Sequence, residues 1–311
     1  MNGILDDFKN AFRRKNNGLI QIILLNVSVF LALIVLRVVL TLAGASLDAS
    51  TGKPVIYEFI LEQLVLPSAP DRLLYKPWTL FTYFFSHEGI FHLLFNMLFL
   101  YWFGKLIDEY LGNRRLVNLY LLGGLMGGLL YVAMYNLLPY FAGQVDSSTL
   151  IGASGAVFAV VVGAATLMPN YTFHLLLLGP VRIKYIAAFY VVLSFAQSIG
   201  DNAGGAIAHL GGALLGFVFI TQLRRGNDLG KPLTVISEWF GRLFRKKPVM
   251  RVTYQNKAKS TYSGYANPNP GYSIPNQDEI DNILDKISRS GYESLTREEK
   301  QKLFRASQRK E

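Results

Sequence analysis

"GASGAVFAVVVG", residues 152 to 163, decides the fold. Its one polar side chain is Ser154; the rest is glycine, alanine, valine and phenylalanine. Gly155, Ala159 and Gly163 recur every four residues, so on a helix they form one stripe with almost no side chain. A second stretch, "AHLGGALLG" at 208 to 216, puts His209, Gly212 and Gly216 on a stripe of the same kind. Small residues at this spacing let the main chains of two membrane helices touch. Such contact would carry Ser154 towards His209.

Working outward, the run 150 to 168 is one of six apolar segments, the others being 18 to 42, 80 to 103, 116 to 138, 183 to 199 and 203 to 223. Each approaches the roughly 20 helical residues that cross a hydrocarbon core of about 30 Å. Half of the 311 residues are hydrophobic and 28 are glycine, a composition ordinary for a multi-pass membrane protein. The first run is too long for a signal-peptide core and is read as a permanent span. The expectation is therefore an all-α membrane protein, a bundle of six transmembrane helices.

Cysteine is absent, which excludes disulfides, thiolate nucleophiles and thiolate-bound metals. The net charge of +10 does not require nucleic acid as a partner, since a basic excess is expected on the cytoplasmic side, against anionic membrane lipid. Lysine and arginine cluster before the first run (Lys9, Arg13, Arg14, Lys15), between the second and third (Lys105, Arg114, Arg115), before the fifth (Arg182, Lys184) and after the sixth (Arg224, Arg225). The connections 139 to 149 and 200 to 202 have neither residue type. By the positive-inside rule both termini are cytoplasmic and the long connection 43 to 79 is external.

Four divisions follow: a cytoplasmic N-terminus (1 to 17), the six-span domain (18 to 224), a basic flexible linker (225 to 277) and a small cytoplasmic helical hairpin (278 to 311). Whether the basic stretch 242 to 259 is simply solvated or contacts anionic lipid stays open. In the hairpin, Ile280, Ile283, Leu284 and Ile287 share one helix face. Gly291 stops that helix, and Thr296 with Glu299 forms a capping box for the next. Too short for a substantial core of its own, the hairpin is expected to dock on a second copy or on another cytoplasmic partner.

Polar groups inside spans are candidate sites, because each costs free energy to place there. Under this topology the second, fourth and sixth spans run the same way, so His92 and Asn96, Ser154 and His209 share one shallow outer layer. The stretch "SHEGIFHLLFN", residues 86 to 96, suggests a zinc motif. Such a motif needs histidines at i and i+4, and His87 and His92 are five apart, roughly 140° around a helix. No metal or other cofactor is expected. His92 and Asn96, at i and i+4, do share a face.

The motifs G-A-S-G at 152 to 155, A-H-x-x-G-x-x-x-G at 208 to 216 and H-x-x-x-N at 92 to 96, in this order across six spans, resemble the rhomboid family of intramembrane serine proteases. "PWTLFTYFFSHEGIFHLLFN" (77 to 96) is also similar to that family's approach to its second span, and the tail resembles a C-terminal extension of Bacteroidetes-type rhomboids. The resemblance implies Ser154 as nucleophile, His209 as general base, and His92 and Asn96 as oxyanion donors. Gly152, Gly155, Phe158 and Gly212 would support them. An aromatic residue one turn after the serine, often tyrosine in the family, packs on the histidine; here it is Phe158. The family's second histidine, at the position of His87, is credited with shaping the loop and the access of water.

The resemblance further implies single-span membrane proteins as substrates, cut near the outer interface, and residence in the bacterial inner membrane. The alternative is a non-catalytic rhomboid-like protein that binds or moves clients. Such relatives typically lack the serine or the histidine, and this chain has both.

Overall fold

The structure is a computed structural model that describes residues 17 to 175, 179 to 244 and 277 to 307. The basic N-terminal residues and the part of the expected linker from 245 to 276 lie outside the described residues. The chain divides into two compact units, residues 1 to 246 and 247 to 311.

The first unit is built on six apolar helices: α1 (Gly18–Leu42), α2 (Ile90–Leu111), α3 (Asn113–Leu137), α4 (Ser154–Leu167), α5 (Ile183–Gln197) and α6 (Ala203–Arg224). Four of these, α1, α2, α3 and α6, are long and apolar enough to cross a membrane. The expected fourth and fifth spans are shorter than predicted, at 14 and 15 residues. The chain is an all-α membrane bundle. Leu31, Val35, Val38, Val39 and Leu42 on α1 are exposed and form an apolar outer face.

Local chemistry explains the shortened helices. Ahead of α4, Thr149–Leu150 pairs antiparallel with Leu66–Pro67. Gly152 then has φ +122°, a conformation side chains rarely allow, so the helix begins just after it. α5 is preceded by an antiparallel hairpin, Thr172–Leu175 with Gly179–Arg182, that the apolar pattern did not reveal.

α2 begins ten residues later than the span read from the sequence. Thr79–Thr82 and Tyr83–Phe85 form two short helical turns, after which Ser86 and Gly89 are extended. The aromatic run here serves the core: Tyr83 and Phe84 are fully buried, and the Tyr83 hydroxyl donates to the Gly124 carbonyl at 2.6 Å.

The expected glycine stripes do pack together. An added Cβ at Gly212 would run into the Gly155 carbonyl, and one at Gly216 into the Ala159 carbonyl. α3 supplies a further close face, where a Cβ at Gly127 would lie 2.8 Å from the Ala208 carbonyl oxygen. α6 is thus packed at main-chain distance against both α4 and α3.

Part of the expected linker is helical: α7 covers Lys231–Phe244. Pro232 suits a first turn, and Leu233, Ile236 and Phe240 recur at helical spacing. Asn118 of α3 is buried and donates to the Gly230 carbonyl (3.0 Å) and to the Thr234 hydroxyl (2.9 Å), fixing the start of α7.

The second unit is a helical hairpin, α8 (Gln277–Ser290) and α9 (Arg297–Ser307). Gly291 follows α8 at φ +77°. Both halves of the capping box are made, Thr296 N–H to the Glu299 carboxylate at 2.7 Å and Glu299 N–H to the Thr296 hydroxyl at 3.3 Å. Ile283 and Leu295 are buried and Leu284 is half exposed, while Lys286 joins the two helices by a 2.9 Å ion pair with Glu299.

Candidate active site

Ser154 is the first residue of α4. The first intrahelical bond there runs from Val157 N–H to the Ala153 carbonyl, so the N–H of Ser154 has no partner within the helix. The helix N-terminus also concentrates partial positive charge at this point. A nucleophile placed here stands beside a ready site for a developing anion.

A cavity of about 430 Å³ opens beside it, lined by Ser154, His209, His92, Asn96, Phe158 and Tyr190 among others. Four residues predicted from three separate helices therefore meet at one place. No hydrogen bond joins Ser154 to His209 among the described residues. Contacts of this kind are commonly long without substrate and shorten when it binds.

Phe158 lies one turn along α4 from Ser154 and stacks on the His209 imidazole, with centroids 4.1 Å apart and planes within 6°. Tyr190 of α5 meets the Phe158 ring edge-on at 6.3 Å. The His209 ring is held flat against an aromatic wall. On its other side Nδ1 lies 3.1 Å from the hydroxyl of Ser194, a buried residue of α5.

Sequence reasoning missed Ser194, because a serine in an apolar helix ordinarily bonds back to its own carbonyls. The signal available was its spacing of four from Tyr190, which puts two polar groups of α5 on one face.

His92 sits over the backbone that leads into Ser154. A Cβ built on Gly152 would lie 2.5 Å from Cε1 and 3.0 Å from Nε2 of His92. Only glycine fits there, on steric grounds and on the positive φ. The supporting positions Gly152, Gly155 and Gly212 are thus each explained by a close approach.

Asn96 is buried, and its amide donates to the His92 carbonyl at 2.9 Å and lies 3.4 Å from Nε2 of His87. It lines the cavity with its donors already engaged.

His87 corrects the angular argument made from sequence. Because α2 starts at Ile90, His87 is not on that helix, and its ring meets His92 edge-on with centroids 5.2 Å apart. The side chain is buried at 1% exposure. Its Nε2 accepts the Ala153 N–H at 3.3 Å, one residue before Ser154. Burial, with the neighbouring His92 adding to it, pushes the His87 imidazole down to about 3, which keeps it neutral and able to accept. The adjoining Glu88 is tied to Lys53 of the preceding connection at 2.6 Å. His87 is therefore a bracket for the loop that carries the serine.

Comparison with known proteins finds relatives along the same stretch of chain. The Rhomboid domain model matches residues 75 to 226, and a model described as a family of unknown function matches residues 274 to 309. "RHOMBOID-like protein 12, mitochondrial" of Arabidopsis thaliana is 31% identical over 159 residues, covering 48% of this chain and 47% of that protein. "Putative rhomboid protease YdcA" of Bacillus subtilis (strain 168) is 30% identical over 155 residues, 48% of this chain and 70% of that protein. "Inactive rhomboid-related protein 2" of Caenorhabditis elegans is 28% identical over 184 residues, 58% of this chain and 48% of that protein. The chain spans about half the length, or less, of the plant relatives it matches.

Proposed function

The chain belongs to the rhomboid family, and from that premise we propose that it is an intramembrane serine endopeptidase working through Ser154 and His209. One observation carries the reading: both residues, with His92, line a single cavity at the N-terminus of α4, where the main chains of α4 and α6 touch.

In the proposed reaction the Ser154 Oγ attacks the scissile carbonyl carbon while its proton passes to Nε2 of His209. The carbonyl electron pair moves to oxygen, and the oxyanion forms beside the free N–H of Ser154, with His92 as a second donor. Asn96 joins only after releasing one of its present partners, so its part is secondary to that of His92. His209 then returns the proton to the leaving amine. Water repeats the sequence on the acyl-enzyme, with His209 again the base.

The substrates are single-span membrane proteins whose helices are weak near the outer interface, since an intact helix hides its carbonyls in hydrogen bonds. Both termini are cytoplasmic, in a bacterial inner membrane, and the α8–α9 hairpin docks on a second copy or on a cytoplasmic partner.

The test compares wild type with Ser154→Ala and His209→Ala, using a single-span reporter in liposomes and a fluorophosphonate label. Cleavage and labelling by the wild type, with loss of both in each variant, are expected. A folded wild-type protein that neither cuts nor labels but retains the reporter would make it a non-catalytic client-binding member of the family.

A further inference from the structure

Ser194 lies in the last turn of α5, 3% exposed, with its Oγ 3.1 Å from Nδ1 of His209. Elsewhere in the bundle, part-buried hydroxyls follow the ordinary habit: Ser28 donates to the Leu24 carbonyl and Thr166 to the Val162 carbonyl, each four residues back. Ser194 instead reaches across to a different helix and to one particular nitrogen.

That nitrogen matters. Stacking on Phe158 fixes the plane of the imidazole but is indifferent to which edge carries which atom, because a flat ring stacks equally well after a half-turn about its bond to Cβ. A neutral imidazole has one N–H and one lone pair. To take a proton from Ser154, His209 must have its lone pair on Nε2 and its hydrogen on Nδ1. A hydroxyl oxygen at Nδ1 selects that arrangement by accepting the Nδ1–H.

The same oxygen becomes more useful as the reaction proceeds. When the Ser154 proton arrives at Nε2 the ring is a cation, both nitrogens donate, and the hydrogen bond to Ser194 becomes charge-assisted. Among the described residues no carboxylate lines the cavity, so the third position that a buried aspartate fills in soluble serine proteases is open to a neutral acceptor. Phe158 has no hydroxyl, which leaves this task to another residue.

We propose that Ser194 is a positioning residue for His209: its Oγ accepts the Nδ1–H, holds Nε2 free towards Ser154, and stabilises the imidazolium formed during attack. Ser194 keeps its own proton throughout. The proposal rests on reading Ser154 and His209 as the reacting pair.

The experiment compares full-length wild type, Ser194→Ala, Ser194→Thr and Ser194→Val for the rate of fluorophosphonate labelling, for kcat and KM on a single-span reporter, and for the thermal unfolding midpoint. Threonine and valine have nearly the same shape and differ in the oxygen, so the pair separates hydrogen bonding from packing. Ala and Val are expected to lower kcat and the labelling rate by about tenfold to a hundredfold, the size of one hydrogen bond to a charged group, with KM unchanged. Thr is expected to recover most of the loss. Thr failing as Val does, an unchanged rate in Ala, or a fall in kcat matched by a lower unfolding midpoint would each overturn the proposal. Should the wild type not label at all, the reacting-pair reading fails first. The imidazole ¹⁵N spectrum of the histidine-labelled protein then decides separately, because Ser194→Ala must shift the Nδ1 resonance of His209, and an unchanged spectrum removes the role.

Discussion

Gly212→Ala tests the architecture with a single methyl group. On the existing backbone its Cβ would overlap the carbonyl oxygen of Gly155, next to Ser154. Main chain cannot rotate away as a side chain can, and carbon rests no closer to a carbonyl oxygen than about 3.3 Å, so α4 and α6 must part by about 1 Å or more. Overpacking of this kind costs about 1–3 kcal/mol of stability. Its effect on reactivity is larger, since a misplacement of about 1 Å lowers a rate by about 100-fold, or ~2.7 kcal/mol in the barrier. The assay is the second-order rate of fluorophosphonate labelling beside the unfolding midpoint of each variant. Gly216→Ala, one turn farther along and facing the Ala159 carbonyl, should lose comparable stability and less rate. Gly143→Ala, with nothing within 4 Å of its Cβ, should change neither. If Gly212→Ala keeps its midpoint and labels within about threefold of wild type, the main-chain contact is not what sets the distance from Ser154 to His209.

Gly152→Ala combines a disfavoured backbone at φ +122° with a clash against His92, and should abolish cleavage while the protein still extracts and folds; retained cleavage would contradict the proposed place of His92. Phe158→Tyr keeps the stack on His209 and should leave kcat within about threefold, whereas Phe158→Ala removes an aromatic pair worth about 0.5–1.5 kcal/mol and should lower kcat by about three- to tenfold, read on the same reporter. In the C-terminal hairpin the Thr296 N–H, with Lys286 beside it, holds the Glu299 carboxyl below the usual range. With the folded value depressed, the carboxylate's contribution is complete above the ordinary value near 4.5 and is lost as pH falls through the folded one, so amide protection factors across Arg297–Ser307, corrected for the intrinsic slowing of exchange in acid, should fall below pH 4.5 and Glu299→Gln should flatten that dependence.

Sequence spacing carried much of this molecule, and the reason is visible at individual residues. Gly155, Ala159, Gly212 and Gly216 recur at fixed intervals, and the absence of a side chain is as readable in a sequence as its presence, so the approach of α4 to α6 was legible. So was the capping box of Thr296 and Glu299, which depends only on neighbours three apart. His87 was not. Apolar residues run to Phe85 and resume at Ile90, but Ser86 and Gly89 between them adopt extended backbone, and the chain leaves the helix that the apolar run suggested. Ser194 escaped for a different reason: its partner lies on another helix 15 residues away, and the choice between bonding backwards and bonding across is made by packing. The strands at 172 to 182 were hidden by shortness, four residues each being too few to set a period.

The lengths of α4 and α5 reach beyond the protein. At 14 and 15 residues they rise about 21 and 22 Å, against a hydrocarbon core of about 30 Å. Of the two, α4 is buried and α5 exposes Phe189, Val192 and Phe195, so lipid along α5 must thin to match, at fractions of a kcal/mol for each ångström of mismatch. α5 also carries Tyr190, which lines the cavity, so the mismatch falls beside it. Bilayer thickness should therefore act on the cavity, and the proposed reaction is expected to change rate with the acyl-chain length of the liposome.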